Sequence, residues 1–254
     1  MKPYQKFAFV YDQMKADEHS VKMAEYCTKI FRKFKINPTT GLDICCGTGS
    51  AIERFVNKGI IMSGLDQSAS MLAVAAKKLK NNKLVLYQKS LPKFRILGRN
   101  NKHKIRKFDL ITCFYDSLNY LKNQTELETA FKSVYIHLQR GGWFIFDMNT
   151  PPALKIIWGE SVFAGVKDNL AWIWKNDYSD KTTSATLHTT FFKKRGKLWE
   201  RFDEVHIERA YDNKIILSKL RKTGFKIKGF YRCYSFDKPG TKTYRICAVV
   251  RKPL

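Results

Sequence analysis

Thr40-Gly41-Leu42-Asp43-Ile44-Cys45-Cys46-Gly47-Thr48-Gly49-Ser50 is the stretch on which the fold turns. A short apolar run ends in a glycine turn, and a helical pattern of Ala51, Ile52, Phe55 and Val56 begins at once. Strand, glycine turn and helix together bring backbone N–H groups and the positive end of a helix up to a polar ligand. Glycine at Gly47 and Gly49 leaves the backbone open, where any side chain would hold the ligand away. A second apolar run, Ile60-Ile61-Met62-Ser63-Gly64-Leu65, stops at Asp66. An acid at the end of the second strand of a βαβ unit is placed to accept both hydroxyls of a ribose. The chain therefore reads as a binder of a nucleoside-containing cofactor.

Spacing decides which cofactor. A dinucleotide turn needs a third glycine three residues after the second, where helix and strand pack closely. Ile52 stands there, so that fingerprint fails. Asp43-Ile44-Cys45-Cys46-Gly47-Thr48-Gly49, followed by Gly64-Leu65-Asp66-Gln67-Ser68-Ala69-Ser70-Met71-Leu72, resembles instead the first motifs of class I S-adenosylmethionine-dependent methyltransferases. Those motifs usually read as an acid and then G-x-G-x-G, and here Cys45 takes the first glycine position. The resemblance implies an α/β fold, a Rossmann-like seven-stranded sheet flanked by helices, with the last strand inserted antiparallel beside the fifth. It implies S-adenosylmethionine as cofactor and S-adenosylhomocysteine as product. The turn with Asp43, Cys45, Gly47, Thr48 and Gly49 would hold the methionine part, Asp66 the ribose, with Gln67 and Met71 following on.

Composition bounds the rest. At 254 residues the chain can bury an ample core, and a single domain over 1–254 with an insertion is expected. Apolar and charged fractions of 44% and 27% exclude a disordered chain. No apolar run approaches bilayer length. The first such run, Phe7 to Val10, is interrupted by Asp12 and Gln13, so no signal peptide is read and a cytoplasmic location is expected. The six cysteines form no C-x-x-C pair and stand at no zinc-site spacing, which suits buried, reduced thiols and no metal. A formal net charge of +25 attracts polyanions. Residues 93–107 carry seven basic side chains and no acid, and residues 213–254 carry twelve against Asp237 alone. This excess is spread along the chain, and a solvated surface is preferred over RNA binding. The partner expected is a small-molecule acceptor, with no membrane and a monomer or homodimer.

Taken in order, residues 18–34 are helical in period, with Val21, Met23, Ala24, Cys27, Ile30, Phe31 and Phe34 on an apolar face that Pro38 ends. The Phe-x-x-Tyr11-Asp12 opening resembles the segment that covers the cofactor in small-molecule methyltransferases. Tyr11 as a plain amphipathic contact is the alternative. A helix is expected over 68–80 and a third strand over 84–87. Ser90 and Leu91 then stand where the family usually contacts adenine, with Ser90 in place of an aspartate. Residues 93–107 read as a surface loop. A fourth strand over 108–114 leads into Tyr115-Asp116-Ser117-Leu118-Asn119-Tyr120-Leu121, which resembles the family's fourth motif in enzymes acting on small metabolites. That places Phe114 and Ser117 near the sulfonium. Base-amine methyltransferases carry (Asp/Asn)-Pro-Pro-aromatic at this point. Asn149-Thr150-Pro151-Pro152 follows the fifth strand instead, with one residue too many before its prolines.

A helix over 125–138 closes at Gly141-Gly142, and His137 on it reads as a packing or helix-end residue. The fifth strand spans 143–148. Runs at 171–174, 185–192 and 198–207, with turns at Asp180-Lys181 and Arg195-Gly196, predict a three-stranded antiparallel cap at about 160–211, before the last helix. Alternation in the last run puts Phe202, Glu204, His206 and Glu208 on one face, with Arg209 and Tyr211 on the other. The phrase Arg201-Phe-Asp-x-x-His206-x-x-Arg209-x-Tyr211 resembles a segment of a bacterial methyltransferase subgroup. A helix over 213–223 and strands over 224–235 and 243–250 complete the chain.

The reading is a methyltransferase acting on an N or O atom of a small molecule by in-line displacement. Tyr11, His206 and Tyr211 are the candidate catalytic groups, and Asn119, Asp147, Asn149, His206, Arg209 and Tyr211 the candidate acceptor contacts. For His206 a sheet-surface role beside Glu204 and Glu208 is the alternative. Two rival readings are a tRNA or rRNA methyltransferase, suggested by the charge, and a non-catalytic S-adenosylmethionine-binding module.

Overall fold

A computed structural model describes residues 4–80, 84–98 and 103–254. The elements run α1 (Glu18–Phe34), β1 (Thr40–Ile44), α2 (Ser50–Val56), β2 (Ile61–Asp66), α3 (Ala69–Lys78), β3 (Val85–Gln88), β4 (Phe108–Cys113), α4 (Gln124–His137) and β5 (Leu138–Asn149). They continue with β6 (Val162–Lys167), β7 (Leu170–Ser179), β8 (Ser184–Arg195), β9 (Leu198–Arg209), α5 (Asn213–Thr223), β10 (Lys226–Arg232) and β11 (Arg245–Arg251). Seven strands form one sheet in the order β10-β11-β5-β4-β1-β2-β3, and β6 to β9 form a second. In the large sheet β1 to β5 are parallel, and β11 lies antiparallel between β5 and β10, as the resemblance implies. Strand order reverses at β1, whose neighbours are β2 and β4, so the chain leaves the sheet in opposite directions there. A crevice opens at that switch point.

Both faces of the large sheet are covered, which is why β1 and β4 read as near-continuous apolar runs. One cluster sets Met23, Cys27 and Ile30 of α1 and Ile52 and Phe55 of α2 against Leu110, Ile145 and Val249. The other sets Leu127 and Phe131 of α4 and Ile216 and Leu220 of α5 against Ile111, Phe144 and Phe146. Burying such side chains contributes about 1.5–3 kcal/mol each. α1 stops where Lys35 adopts a left-handed conformation and the Ile36 N–H returns to the Phe31 carbonyl at 2.9 Å.

Three sequence expectations change. β5 begins at Leu138, and Gly141-Gly142 lies inside it rather than ending the helix. The Gly141 N–H donates to the carbonyls of Lys252 and Pro253, so pairing with the chain end extends the strand. The cap has four strands instead of three. β6 is largely exposed, so no polar alternation marks it in the sequence, and Gly165 within it makes room for the Trp172 indole, which a Cβ would meet at 2.3 Å. The basic stretch 93–107 is not a simple surface loop. Phe94 and Ile96 are buried, Leu97 bridges Ile105, and the Ile96 N–H donates to His137 Nε2 at 2.9 Å. His137 is thus a packing residue, with burial pulling its imidazole below the usual range. Residues 99–102 of that stretch, and residues 1–3 of the N-terminal reading, lie outside the described residues.

The N-terminal segment joins the two sheets. Phe7, Val10 and Tyr11 pack with Met71 of α3 and with Leu170, Phe191 and Phe202 from the inner face of the cap. Buried Glu204 accepts the backbone N–H groups of Tyr4, Gln5, Lys6 and Phe7 at 2.6–3.1 Å. Burial alone would raise its carboxyl, but His206 and these N–H groups hold it below the ordinary range. Among the described residues, no helix is long and apolar enough to cross a membrane.

Candidate active site

The switch point holds a cleft of about 370 Å³. Cys45, Cys46, Gly47 and Thr48 form one side, Asp66, Gln67 and Met71 the next, and Ser90 and Leu91 the third. Phe114, Tyr115, Ser117 and Tyr120 follow β4, and Tyr4 and Tyr11 close the cleft from the N-terminal segment. Asp66, 8% exposed, accepts the Gly47 N–H at 2.9 Å with one oxygen and the Ser68 N–H at 2.8 Å with the other. Burial raises its carboxyl and these N–H groups oppose the rise. Gly47 sits at φ +53°, and a Cβ built there meets nothing within 4 Å. Its backbone therefore faces open space at a conformation that favours glycine. The Thr48 hydroxyl donates to Asp12 at 2.6 Å, and Lys78 binds the other Asp12 oxygen at 2.6 Å. This anchors the N-terminal segment over the turn. No motif or spacing points to Lys78.

A second cavity of about 40 Å³ lies beneath the cap. Tyr4, Tyr11, Tyr115 and Tyr120 line both spaces, and Phe7, Trp158, Trp174, His206 and Glu208 are among the other residues that line the second. Hydroxyls of Tyr4 and Tyr120 are 2.8 Å apart, Tyr120 Oη lies 2.9 Å from His206 Nδ1, and His206 Nε2 lies 3.4 Å from Glu204. Behind this wall runs a buried ionic network. Arg245 binds Asp116 at 2.9 Å and also Asp147, whose other neighbour is His19 at 3.1 Å. Burial would raise the Asp147 carboxyl, but His19 and Arg245 bring it down to about 2. Tyr115 and Asp116 both have positive φ, +58° and +50°. Such strain persists where the surroundings over-determine it. Here Asp147 accepts the Tyr115 N–H at 2.8 Å and the ring is stacked on His19.

The sequence profile described as "Methyltransferase domain" matches residues 42–142. The Bacillus subtilis protein YqeM, which carries a provisional methyltransferase name, is 27% identical over 96% of this chain and 94% of its own. A Streptomyces venezuelae dTDP-3-amino-3,4,6-trideoxy-alpha-D-glucopyranose N,N-dimethyltransferase is 37% identical over 42% of this chain and 40% of its own. A crystal structure of an S-adenosylmethionine-dependent methyltransferase from Clostridium acetobutylicum ATCC 824 matches 100% of both chains at 32% identity, with a TM-score of 0.85. The chain belongs to the S-adenosylmethionine-dependent methyltransferases. The bare Gly47 backbone and the buried acid beside it suit the amino-acid and ribose ends of that cofactor.

Not every expected residue of the methyltransferase reaches the cleft. Gly49 faces α3, where a Cβ would meet Leu79 at 2.8 Å, so it serves helix packing and not ligand approach. Asp43 lies behind the turn and accepts the Thr112 hydroxyl at 2.6 Å. Asn119 binds the carbonyls of Asn149 and Arg209, tying the cap to β5. Asp147 and Asn149 belong to the buried network, and Arg209 is joined to it through its backbone. Tyr211 is a core residue whose phenol donates to the Leu121 carbonyl, which removes it as a catalytic candidate. Tyr11 and His206 do line the cavities, and Tyr4, Tyr115, Tyr120 and Glu208 are wall residues that the sequence did not single out. For Glu208 a signal existed, since alternation sets it on the face of His206.

Burial pushes the Asp43 carboxyl up to about 7, against an unfolded value near 4. A raised folded pKa gives stability that is whole below pH ~4 and lost as pH rises through about 7. Asp43→Asn should therefore be more stable than the parent at pH 8, by on the order of 2 kcal/mol, with the gap closing towards pH 5. Urea unfolding of the cofactor-free protein at both pH values measures it. A gap independent of pH would refute the assignment.

Proposed function

We propose that this methyltransferase transfers the methyl group to a nitrogen or oxygen atom of a small molecule held beneath the cap. One observation carries the reading: the donor cleft shares four tyrosines with a small aromatic cavity lined by residues of the cap and the N-terminal segment. So small and aromatic a space suits a compact acceptor. The Streptomyces venezuelae relative, named for an amino-sugar substrate, supports the same class.

S-adenosylmethionine supplies a methyl group already activated on a sulfonium, so the protein's task is alignment and exclusion of water. In this reading the Gly47 turn, with Cys45 and Thr48, cradles the methionine part and Asp66 holds the ribose. Gln67, Ser90 and Leu91 flank the adenine, with Met71 beside them. Phe114 and Ser117 stand nearest the sulfonium, and Tyr11 and His206 face the acceptor. The net charge of +25 favours a second reading, methylation of RNA. Incubation with methyl-labelled cofactor, a small-molecule extract and total RNA separates the two. Label is expected in small products. Label confined to RNA, with steep salt dependence, would overturn the proposal.

A further inference from the structure

We propose that the acceptor is an amine that enters as an ammonium ion, and that Glu208, backed by Asp116, is the group that takes its proton. The inference rests on the small-molecule reading above. It starts from an imbalance of buried charge. Asp116, Asp147 and Glu208, at 4%, 0% and 7% exposure, converge from the turn after β4, from β5 and from β9. Arg245 is committed to Asp116 and Asp147, and His19 to Asp147. What holds Glu208 is a neutral group: Asn149 Nδ2 donates to it at 2.9 Å and to Asp116 at 3.0 Å. One amide thus gathers two carboxyl groups and supplies no charge to either. A buried carboxylate without a cation is costly, and the group neutralises itself by keeping a proton. Burial, and then Asp116, push the Glu208 carboxyl well above its ordinary range.

Glu208 lines the second cavity, and Asp116 shares its Asn149 donor. The same cavity is walled by Tyr115, Tyr120, Trp158 and Trp174, whose ring faces attract a cation. His206, two residues away on the same face, is engaged by Tyr120 at Nδ1 and turned towards Glu204 at Nε2. Its Nε2 has no hydrogen-bond partner and faces the Glu204 carboxylate, whereas Glu208 faces the cavity with no cation beside it. The missing component of the cavity is a positive charge carried by the ligand, which an alcohol does not bring.

The chemistry balances. Binding of the ammonium ionises Glu208, whose own proton leaves to water. An N–H bond of the ammonium then breaks, its proton passes to the Glu208 carboxylate, and the electron pair stays on nitrogen. That pair forms the N–C bond to the methyl group while the S–C pair returns to sulfur. The methylated ammonium leaves with its charge, and the Glu208 proton passes to water. An ammonium nitrogen has no lone pair, so a base is required before attack.

Propylammonium and its neutral counterpart 1-propanol are the probes. Binding to the full chain saturated with S-adenosylhomocysteine is read from the fluorescence of Trp158 and Trp174. Propylammonium should bind at least tenfold tighter than 1-propanol. Glu208→Gln keeps the size and the Asn149 contact, so it should remove that preference and leave S-adenosylhomocysteine affinity unchanged. In the unaltered protein, calorimetry in buffers of different ionisation enthalpy should show proton release on propylammonium binding, a readout independent of how the variant folds. Equal affinity for the two probes, a preference that survives Glu208→Gln, or binding without proton release would each overturn the assignment. If small products are labelled while ammonium preference is absent, the role of Glu208 fails and the small-molecule reading stands. If label goes only into RNA, that reading fails first.

Discussion

Asp66→Ala should lower the affinity for S-adenosylmethionine at least tenfold. The carboxylate ends β2 on the cleft wall, and its two oxygens accept the N–H groups of Gly47 and Ser68. Removing it takes away the charge-assisted contact proposed for the ribose. It also releases the Gly47 turn from β2 and the first turn of α3. Both losses act on the same bound state, so they reinforce one another. Asp66→Asn keeps one acceptor oxygen and should lose less. Calorimetric titration of each variant, with thermal melting to verify folding, decides the matter. Unchanged affinity in a folded Asp66→Ala protein would remove Asp66 from the donor site.

A comparable effect on stability is expected at Arg245. Its guanidinium stands between Asp116 and Asp147 and lies 5.7 Å from the Tyr115 ring centre. Arg245→Met would leave two buried carboxylates without their shared cation. Breaking a buried pair in this way costs about 3–5 kcal/mol, because the orphaned charge has lost both water and partner. The variant should unfold at much lower urea concentration, and Arg245→Lys, which restores the charge, should recover much of the loss. His19 would still face Asp147, so the deficit falls chiefly on Asp116 and on the strained Tyr115-Asp116 turn. A loss below about 1 kcal/mol would mean that the network is more hydrated than its burial implies.

The β1–α2 turn was legible because its chemistry is local. Gly47 needs a left-handed backbone and an open side, Asp66 ends a strand that pairs with β1, and both facts lie within a short span of chain. Gly49 shows the limit of that reasoning. The same pattern that bares Gly47 to the cleft turns Gly49 towards Leu79, and no spacing rule separates the two. Acceptor residues were harder. Asn119 in the turn after β4, and Asp147 and Asn149 at the end of β5, are polar groups that in the sequence resemble ligand contacts. In the fold Asn119 and Asn149 bond each other across 30 residues of chain, and Asp147 is taken by Arg245 and His19. Tyr211 continues the alternation of β9 in the sequence, yet the strand ends at Arg209 and its ring enters the core. β6 escaped notice for the opposite reason, an exposed strand with no polar period.

By itself the sequence determined the alternation of strands and helices that builds the large sheet, the glycine turn and the acid that follows, because short-range sterics and hydrophobic period act between near neighbours. Tertiary structure alone decided that Tyr4 and Glu208, 204 residues apart in numbering, wall one cavity. It alone set one guanidinium between carboxylates from two different elements. Those outcomes follow from which buried charges the packed sheets bring within reach of each other, and a linear pattern carries no record of that distance.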